Sequence, residues 1–147
     1  ENKITHKLYI VGDGPDKDFL IALVNKKHLS EQIIFLGKKT NPFIWVKHAD
    51  IFVLSSKFEG FGLVIVEAMI VETFAISSNC KTGPKEILQE GMCGNLFEIG
   101  NVDELANKLA YALDNNEYRN EKIKLASVRI EEFDRANIMI ELNKVLS

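Results

Sequence analysis

Cysteine is scarce in this sequence. Only Cys80 and Cys93 occur, in no C-x-x-C arrangement and without histidines at ligand spacing. That leaves neither a disulfide framework nor a zinc site and points to a reducing compartment. A surplus of positive charge is also lacking: Lys plus Arg is 18, Asp plus Glu is 21 and the formal charge is −3. Duplex-binding domains concentrate a large positive excess, so no nucleic acid partner is expected. Long hydrophobic runs are missing too. The longest nearly uncharged stretch, Phe58 to Val71, carries Glu59 and Glu67 and is too short to cross a bilayer, so any membrane contact would be peripheral. The first residues, Glu1 to Lys7, do not follow the charged-then-apolar order of a signal peptide. No G-x-S-x-G elbow occurs, which removes the serine-hydrolase pattern. His6, His28 and His48 are isolated, two of them beside lysines in helical stretches, and solvated or structural roles suit them better than metal ligation or base catalysis.

What the chain does have is the composition of one globular domain: 147 residues, 46% apolar and 27% charged, enough for one compact core. Short apolar runs closed by turn residues predict strands at 8–11, 32–37, 51–54, 73–77 and 94–99. Between them, apolar residues recur at helical spacing. Phe19, Leu20, Leu23, Val24 and Leu29 predict an amphipathic helix from Asp16 to about His28. Asn41-Pro42 opens a helix whose apolar face includes Phe43 and Trp45, core residues by their setting. Further helices are expected at 63–71, 83–88, 102–113, 117–133 and 136–146. Strands apolar throughout and alternating with helices imply a parallel sheet covered on both faces, a doubly wound, Rossmann-like α/β domain with C-terminal helices. Ligands of such sheets lie beyond the C-terminal strand ends, at the turns 12–16, 37–41 and 55–62.

Glu59-Gly60-Phe61-Gly62 followed by Glu67-Ala68 is the strongest chemical signal. With a helix starting near Gly62, Glu67 lies roughly 7 Å along its axis, and both carboxylates can face one ligand. The apolar neighbours of Glu67 imply burial, and a buried carboxylate needs donors such as the two hydroxyls of a ribose. Gly60 and Gly62 bracket the helix start, where free N–H groups and the dipole suit a diphosphate. The plain alternative stays open: Glu67 on a wet stripe or paired with a base, Glu59 complementing the dipole. Gly12-Asp13-Gly14-Pro15 resembles half of a dinucleotide fingerprint, but Lys17 stands where a third glycine is required, and a tight turn before a helix explains it as well. Gly83-Pro84-x-Glu86 reads as a helix start that needs no function, on a loop at the same end of the sheet.

In order, Val11-Gly12-Asp13-Gly14-Pro15, Ile34-Phe35-Leu36-Gly37, Ala49 to Ser56, Glu59-Gly60-Phe61-Gly62 with Glu67-Ala68-Met69, Ser78-Asn79-Cys80 with Gly83-Pro84-x-Glu86-Ile87-Leu88, and Gly91-x-x-Gly94-x-Leu96 cover nearly the whole chain. The ordered set resembles the C-terminal, donor-binding domain of retaining GT-B glycosyltransferases of the family-four, group 1 type. The resemblance implies a nucleoside-diphosphate-sugar donor such as a UDP-sugar. Glu59 would touch the donor sugar's hydroxyls as the catalytic carboxylate, and Glu67 would hold the ribose. The backbone of Gly60, Phe61, Gly62 and Leu63 would meet sugar and diphosphate. Gly37 to Lys39 would border the nucleobase, and Gly12 would line the cleft. It implies no metal and no cofactor, the leaving group being stabilised by helix N–H groups and basic residues. The acceptor, a glycan or lipid-linked glycan in polysaccharide or lipopolysaccharide synthesis, would be bound by an N-terminal domain, with the intact enzyme cytoplasmic or at the inner face of the cytoplasmic membrane.

The family's C-terminal domain normally opens with a further strand and helix bearing a basic residue, a unit lying ahead of the first residue matched here. Without it, neighbouring strands would either pair directly or keep open edges. The segment alone, residues 1–147, is therefore expected to be one nucleotide-sugar-binding domain of a two-domain enzyme, inactive by itself. A non-catalytic nucleotide-binding or interaction module of the same fold is the alternative.

Overall fold

A computed structural model describes residues 5–133. The chain divides into two compact units, Glu1–Pro42 and Phe43–Ser147. The helix expected over 136–146 lies outside the described residues.

In the first unit, β1 (Leu8–Val11) pairs in parallel with β2 (Ile33–Gly37), and α1 (Lys17–Lys26) connects them. The register runs Leu8↔Ile33 to Ile10↔Phe35 and then shifts, so that Val11 faces Gly37. Sequence periodicity places a helix here, but its expected burial does not follow. No residue of α1 is buried, Phe19 is 68% exposed, and β1 leaves Leu8, Tyr9 and Val11 largely in the open. Two strands and one helix offer too little surface to close a core of their own.

The second unit opens with α2 (Phe43–Lys47), β3 (Ile51–Leu54), α3 (Leu63–Ile70) and β4 (Phe74–Ser78). It continues through α4 (Pro84–Ile87), a 3-10 turn at Gln89–Gly91, β5 (Asn95–Phe97), α5 (Val102–Asp114) and α6 (Asn116–Glu132). The parallel sheet has the order β3-β4-β5. Its central strand is buried at every residue, and the two-residue alternation of side chains sends Ala75 to one face and Phe74 and Ile76 to the other. On the first face Ala75 meets Ile65, Val66 and Met69 of α3 with Ile87, Leu88 and Cys93. On the second, Phe74 and Ile76 meet Phe97, Ala112 and the half-buried Leu105 and Leu109 of α5. Helix α6 serves both, with Ala126 and Ile130 on the first face and Tyr118 and Ile123 on the second.

Local chemistry explains the helix starts. The Asn101 side chain accepts from the Glu104 N–H at 3.1 Å, and Asn115 accepts from the Tyr118 N–H at 3.0 Å, each closing a first turn. Tyr118 in turn donates its hydroxyl to Asn95 Oδ1 at 2.6 Å, which satisfies a polar side chain inside β5.

The expected α/β order is present, with one departure. Among the described residues each strand pairs only within its own unit: β1 with β2, and β3 with β4. Within the units the strands pair as a parallel ladder requires, β4 carrying a neighbour in register on each side. Trp45, expected in the core, is 38% exposed on α2, a helix of five residues with no buried position. Among the described residues no helix is long and apolar enough to cross a membrane.

Candidate functional site

The turn after β3 is built for close approach. Gly62 caps α3 with φ 88° and ψ 43°, the left-handed conformation that glycine adopts without penalty. It is buried, and an added Cβ would stand 3.4 Å from Ile65 Cδ1 and 3.7 Å from Ile87 Cδ1. Among the described residues no side chain caps this helix; the Ile65 N–H turns back to the Gly62 carbonyl at 2.9 Å, which leaves the Leu63 and Val64 N–H groups open to an acceptor. Gly60 differs. Its φ lies outside the left-handed region and a Cβ there would meet nothing within 4 Å. The fold gives no reason for glycine at that position, which leaves room for a ligand against the backbone as the reason.

Glu67 lies four residues into α3, about 6 Å along the axis from Leu63 at roughly 1.5 Å per residue. Ile65, Val66, Ala68 and Met69 around it are buried, and Glu67 itself is half-buried. Among the described residues its carboxylate has no hydrogen-bond or ion-pair partner. Burial alone raises its pKa above the ordinary 4.5. Among the described residues no internal base is paired with Glu67. Glu59 is half-buried on the same turn, and Phe61 and Leu63 are exposed.

The loop following β4 holds this turn at successive points. Ser78 Oγ donates to the Ser56 carbonyl at 2.6 Å, and Cys80 Sγ reaches the same oxygen at 3.3 Å. Thr82 Oγ1 donates to the Glu59 carbonyl at 2.8 Å. Gly83, at φ 85°, packs so closely that a Cβ on it would lie 1.9 Å from the Phe61 carbonyl oxygen. Beyond the loop, the Phe61 ring meets Phe133 edge to face at 6.2 Å, and the Arg129 guanidinium lies 4.7 Å over the Phe133 ring. Nothing in the sequence marks a role for Ser78, Thr82 or Phe133. Thr82 stands directly before the closely packed Gly83, but its own bond to a residue 23 positions earlier left no signal in the chain.

Gly12 and Gly37 belong to the first unit. Both have positive φ, 131° and 67°, and the Gly12 N–H donates to the Gly37 carbonyl at 2.9 Å, so the ends of β1 and β2 are tied together. Lys39 is exposed two residues further on. Asp16-Lys17-Asp18 spells a D-x-D triplet at the start of α1, and among the described residues no three His, Cys, Asp or Glu side chains gather to hold a metal ion. His48 has a structural partner: its Nδ1 donates to the Ile44 carbonyl at 2.7 Å.

Residues 1–128 match the family described as "Glycosyl transferases group 1". The chain is 29% identical over 140 residues to the N-acetylgalactosamine-N,N'-diacetylbacillosaminyl-diphospho-undecaprenol 4-alpha-N-acetylgalactosaminyltransferase of Campylobacter jejuni, covering 95% of this chain and 38% of that one. Its fold is similar to that of a TarM mutant from S. aureus solved with Fondaparinux, alpha-GlcNAc-glycerol and UDP, with a TM-score of 0.83 and 25% identity. That match covers 96% of this chain and 29% of TarM. The C-terminal domain of a glycosyl transferase group 1 family protein (LpcC) from Francisella tularensis is 29% identical, with a TM-score of 0.71, over 82% of this chain and 65% of that one. The chain spans 20% to 40% of the length of the curated relatives it matches. The strand order within each unit, the uncapped helix after β3 and the match over most of the sequence place this chain in the group 1 glycosyl transferase family.

Proposed function

We propose that residues 1–147 form the nucleotide-sugar-binding domain of a two-domain GT-B enzyme, which moves a sugar from a nucleoside diphosphate, UDP in the first instance, to a glycan or lipid-linked acceptor. The observation that carries this is the Glu67 carboxylate, half-buried on an apolar helix, without a partner among the described residues and raised in pKa by burial. Such a group is costly unless something completes it, and two ribose hydroxyls are donors of the right kind. The uncapped start of α3 suits the diphosphate, with Gly60, Phe61, Gly62 and Leu63 offering backbone to sugar and phosphate. In this assignment Glu59 contacts the donor sugar.

The reaction is a same-face substitution with retention. The bond from the anomeric carbon to the diphosphate oxygen breaks, the bond to the acceptor oxygen forms on the same face, and the acceptor proton passes to the departing diphosphate. The protein's contribution is electrostatic: N–H groups already aimed at the charge that develops on the leaving group. No metal or other cofactor takes part. Relatives named for lipopolysaccharide and undecaprenol-linked substrates support a glycan or lipid-linked acceptor; its binding by a further domain and a place in the cytoplasm at the inner membrane face complete the proposal. The segment alone does not transfer sugar. Calorimetry and thermal shift with UDP, GDP and ADP test the binding step, since a ligand at free concentration L stabilises the fold by RT ln(1 + L/Kd). Stabilisation by one of them supports the donor site. Silence with all three favours a non-catalytic module, and turnover by residues 1–147 alone would refute the two-domain requirement.

A further inference from the structure

The geometry points to Thr82 as a positioning residue for the donor sugar: it sets the peptide plane through which the glycine-rich turn presents its N–H to the ligand. This rests on the donor-site reading above. In a trans peptide the carbonyl and the following N–H point in opposite directions, and the described chain has no cis peptide bond. Pinning a carbonyl therefore aims the next N–H the other way. The segment 78–83 does this three times to the turn after β3. Ser78 and Cys80 take the Ser56 carbonyl, Thr82 takes the Glu59 carbonyl, and Gly83 packs on the Phe61 carbonyl. The N–H groups of Lys57, Gly60 and Gly62 are thereby turned away from that segment as a set.

The three contacts are not equivalent. Ser78, Cys80 and Gly83 are buried and belong to the packing beneath the turn, whereas Thr82 is exposed and makes its bond at the rim. Gly60, the residue it orients, has no side chain and nothing within 4 Å of a notional Cβ, so no side-chain packing at that position adds to the bond. Among the described residues the Thr82 hydroxyl makes the one hydrogen bond that fixes the Glu59–Gly60 plane, and the Glu59 side chain leaves the backbone from the residue whose carbonyl is held. Losing the hydroxyl frees both the Gly60 N–H and the Glu59 carboxylate, which on the donor-site reading face the sugar, while Glu67 and the ribose it holds are untouched on α3.

The test uses the full-length enzyme and calorimetry with UDP and with whichever of UDP-N-acetylglucosamine, UDP-N-acetylgalactosamine, UDP-galactose and UDP-glucose the unaltered protein binds most tightly. Thr82→Val keeps the shape and removes the donor. It should weaken the UDP-sugar roughly 3- to 10-fold, the range for one neutral hydrogen bond, and leave UDP within about twofold. Thr82→Ser should restore the UDP-sugar affinity. Should valine perturb the thermal midpoint, Thr82→Ala must give the same split between the two ligands. Unchanged UDP-sugar affinity in Thr82→Val overturns the proposal, and so does an equal loss for UDP and UDP-sugar, which would mark a merely structural bond. Glu59→Gln separates the two levels. If it weakens the UDP-sugar while Thr82→Val does not, the brace is refuted and the donor site stands. If the unaltered protein binds neither UDP nor any of the sugars, the donor-site reading falls and the brace with it.

Discussion

Replacing Glu67 by Gln separates what this side chain does for the fold from what it does for a ligand. Burial raises its carboxyl pKa, so the folded state resists the charged form. Because the folded value exceeds the unfolded one, the stability tied to this group is complete below the ordinary carboxylate range and is lost as pH rises through the folded value. At neutral pH the unliganded protein therefore bears the cost of burying this group, and Glu67→Gln should be at least as stable as the parent. Nucleotide binding should respond in the opposite direction. Two charge-assisted bonds from ribose hydroxyls to the carboxylate are weakened or lost, at about 1–3 kcal/mol in total, or roughly 5- to 150-fold in Kd. Glu67→Ala should lie toward the larger loss. Binding also selects the ionised form, so the parent's affinity should fall toward acidic pH more steeply than that of Glu67→Gln, in which only the phosphate titrates. Calorimetry with UDP from pH 5 to 8, beside urea denaturation of both proteins without ligand, supplies every quantity. Equal UDP affinity in parent and variant would refute the ribose assignment. A variant clearly less stable without ligand would show that Glu67 serves the fold instead.

The glycines of the turn should separate in the same way. Gly60→Ala has space for its methyl and an ordinary φ, so its unfolding free energy in urea should stay within about 0.5 kcal/mol of the parent while UDP-sugar affinity falls. Gly83→Ala must push away the Phe61 carbonyl and should cost about 3 kcal/mol or more, read from the same denaturation curves. Tyr118→Phe removes the donor to Asn95 Oδ1 inside the second core face and should destabilise by about 1–2 kcal/mol with no effect on nucleotide affinity. Glu104 accepts the Glu98 N–H at 2.9 Å and pairs with Lys108 at 3.0 Å, which hold its pKa below 4.5. Its contribution is present above that value and disappears as pH falls through the folded one, so acid unfolding of Glu104→Gln should be shallower between pH 5 and 3 than that of the parent.

The five strands and the order of the helices were legible because each apolar run ends in residues that dictate a turn. Gly62 was legible because a glycine before a helical run marks a start, and Glu67 because a carboxylate in an apolar helix needs an explanation. The amphipathic stripe of α1 was legible as a helix but not as to what covers it, since periodicity reports a face and never its partner. Trp45 went astray for the same reason on a five-residue helix. Thr82 was invisible: its bond to a carbonyl 23 residues earlier leaves no spacing in the chain and exists only once β3 and β4 lie side by side.

Helix α6 runs four residues past the end of the matched family region, and those residues with Phe133 include Arg129 and Ile130. A protein cut at 128 would keep every recognised motif yet forfeit the aromatic prop under Phe61 and an aliphatic plug of the α3 face. Expression boundaries drawn by family resemblance would thus produce a domain whose donor loop has lost its rear support, and weak binding by such a product would reflect where it was trimmed, not what the enzyme can bind.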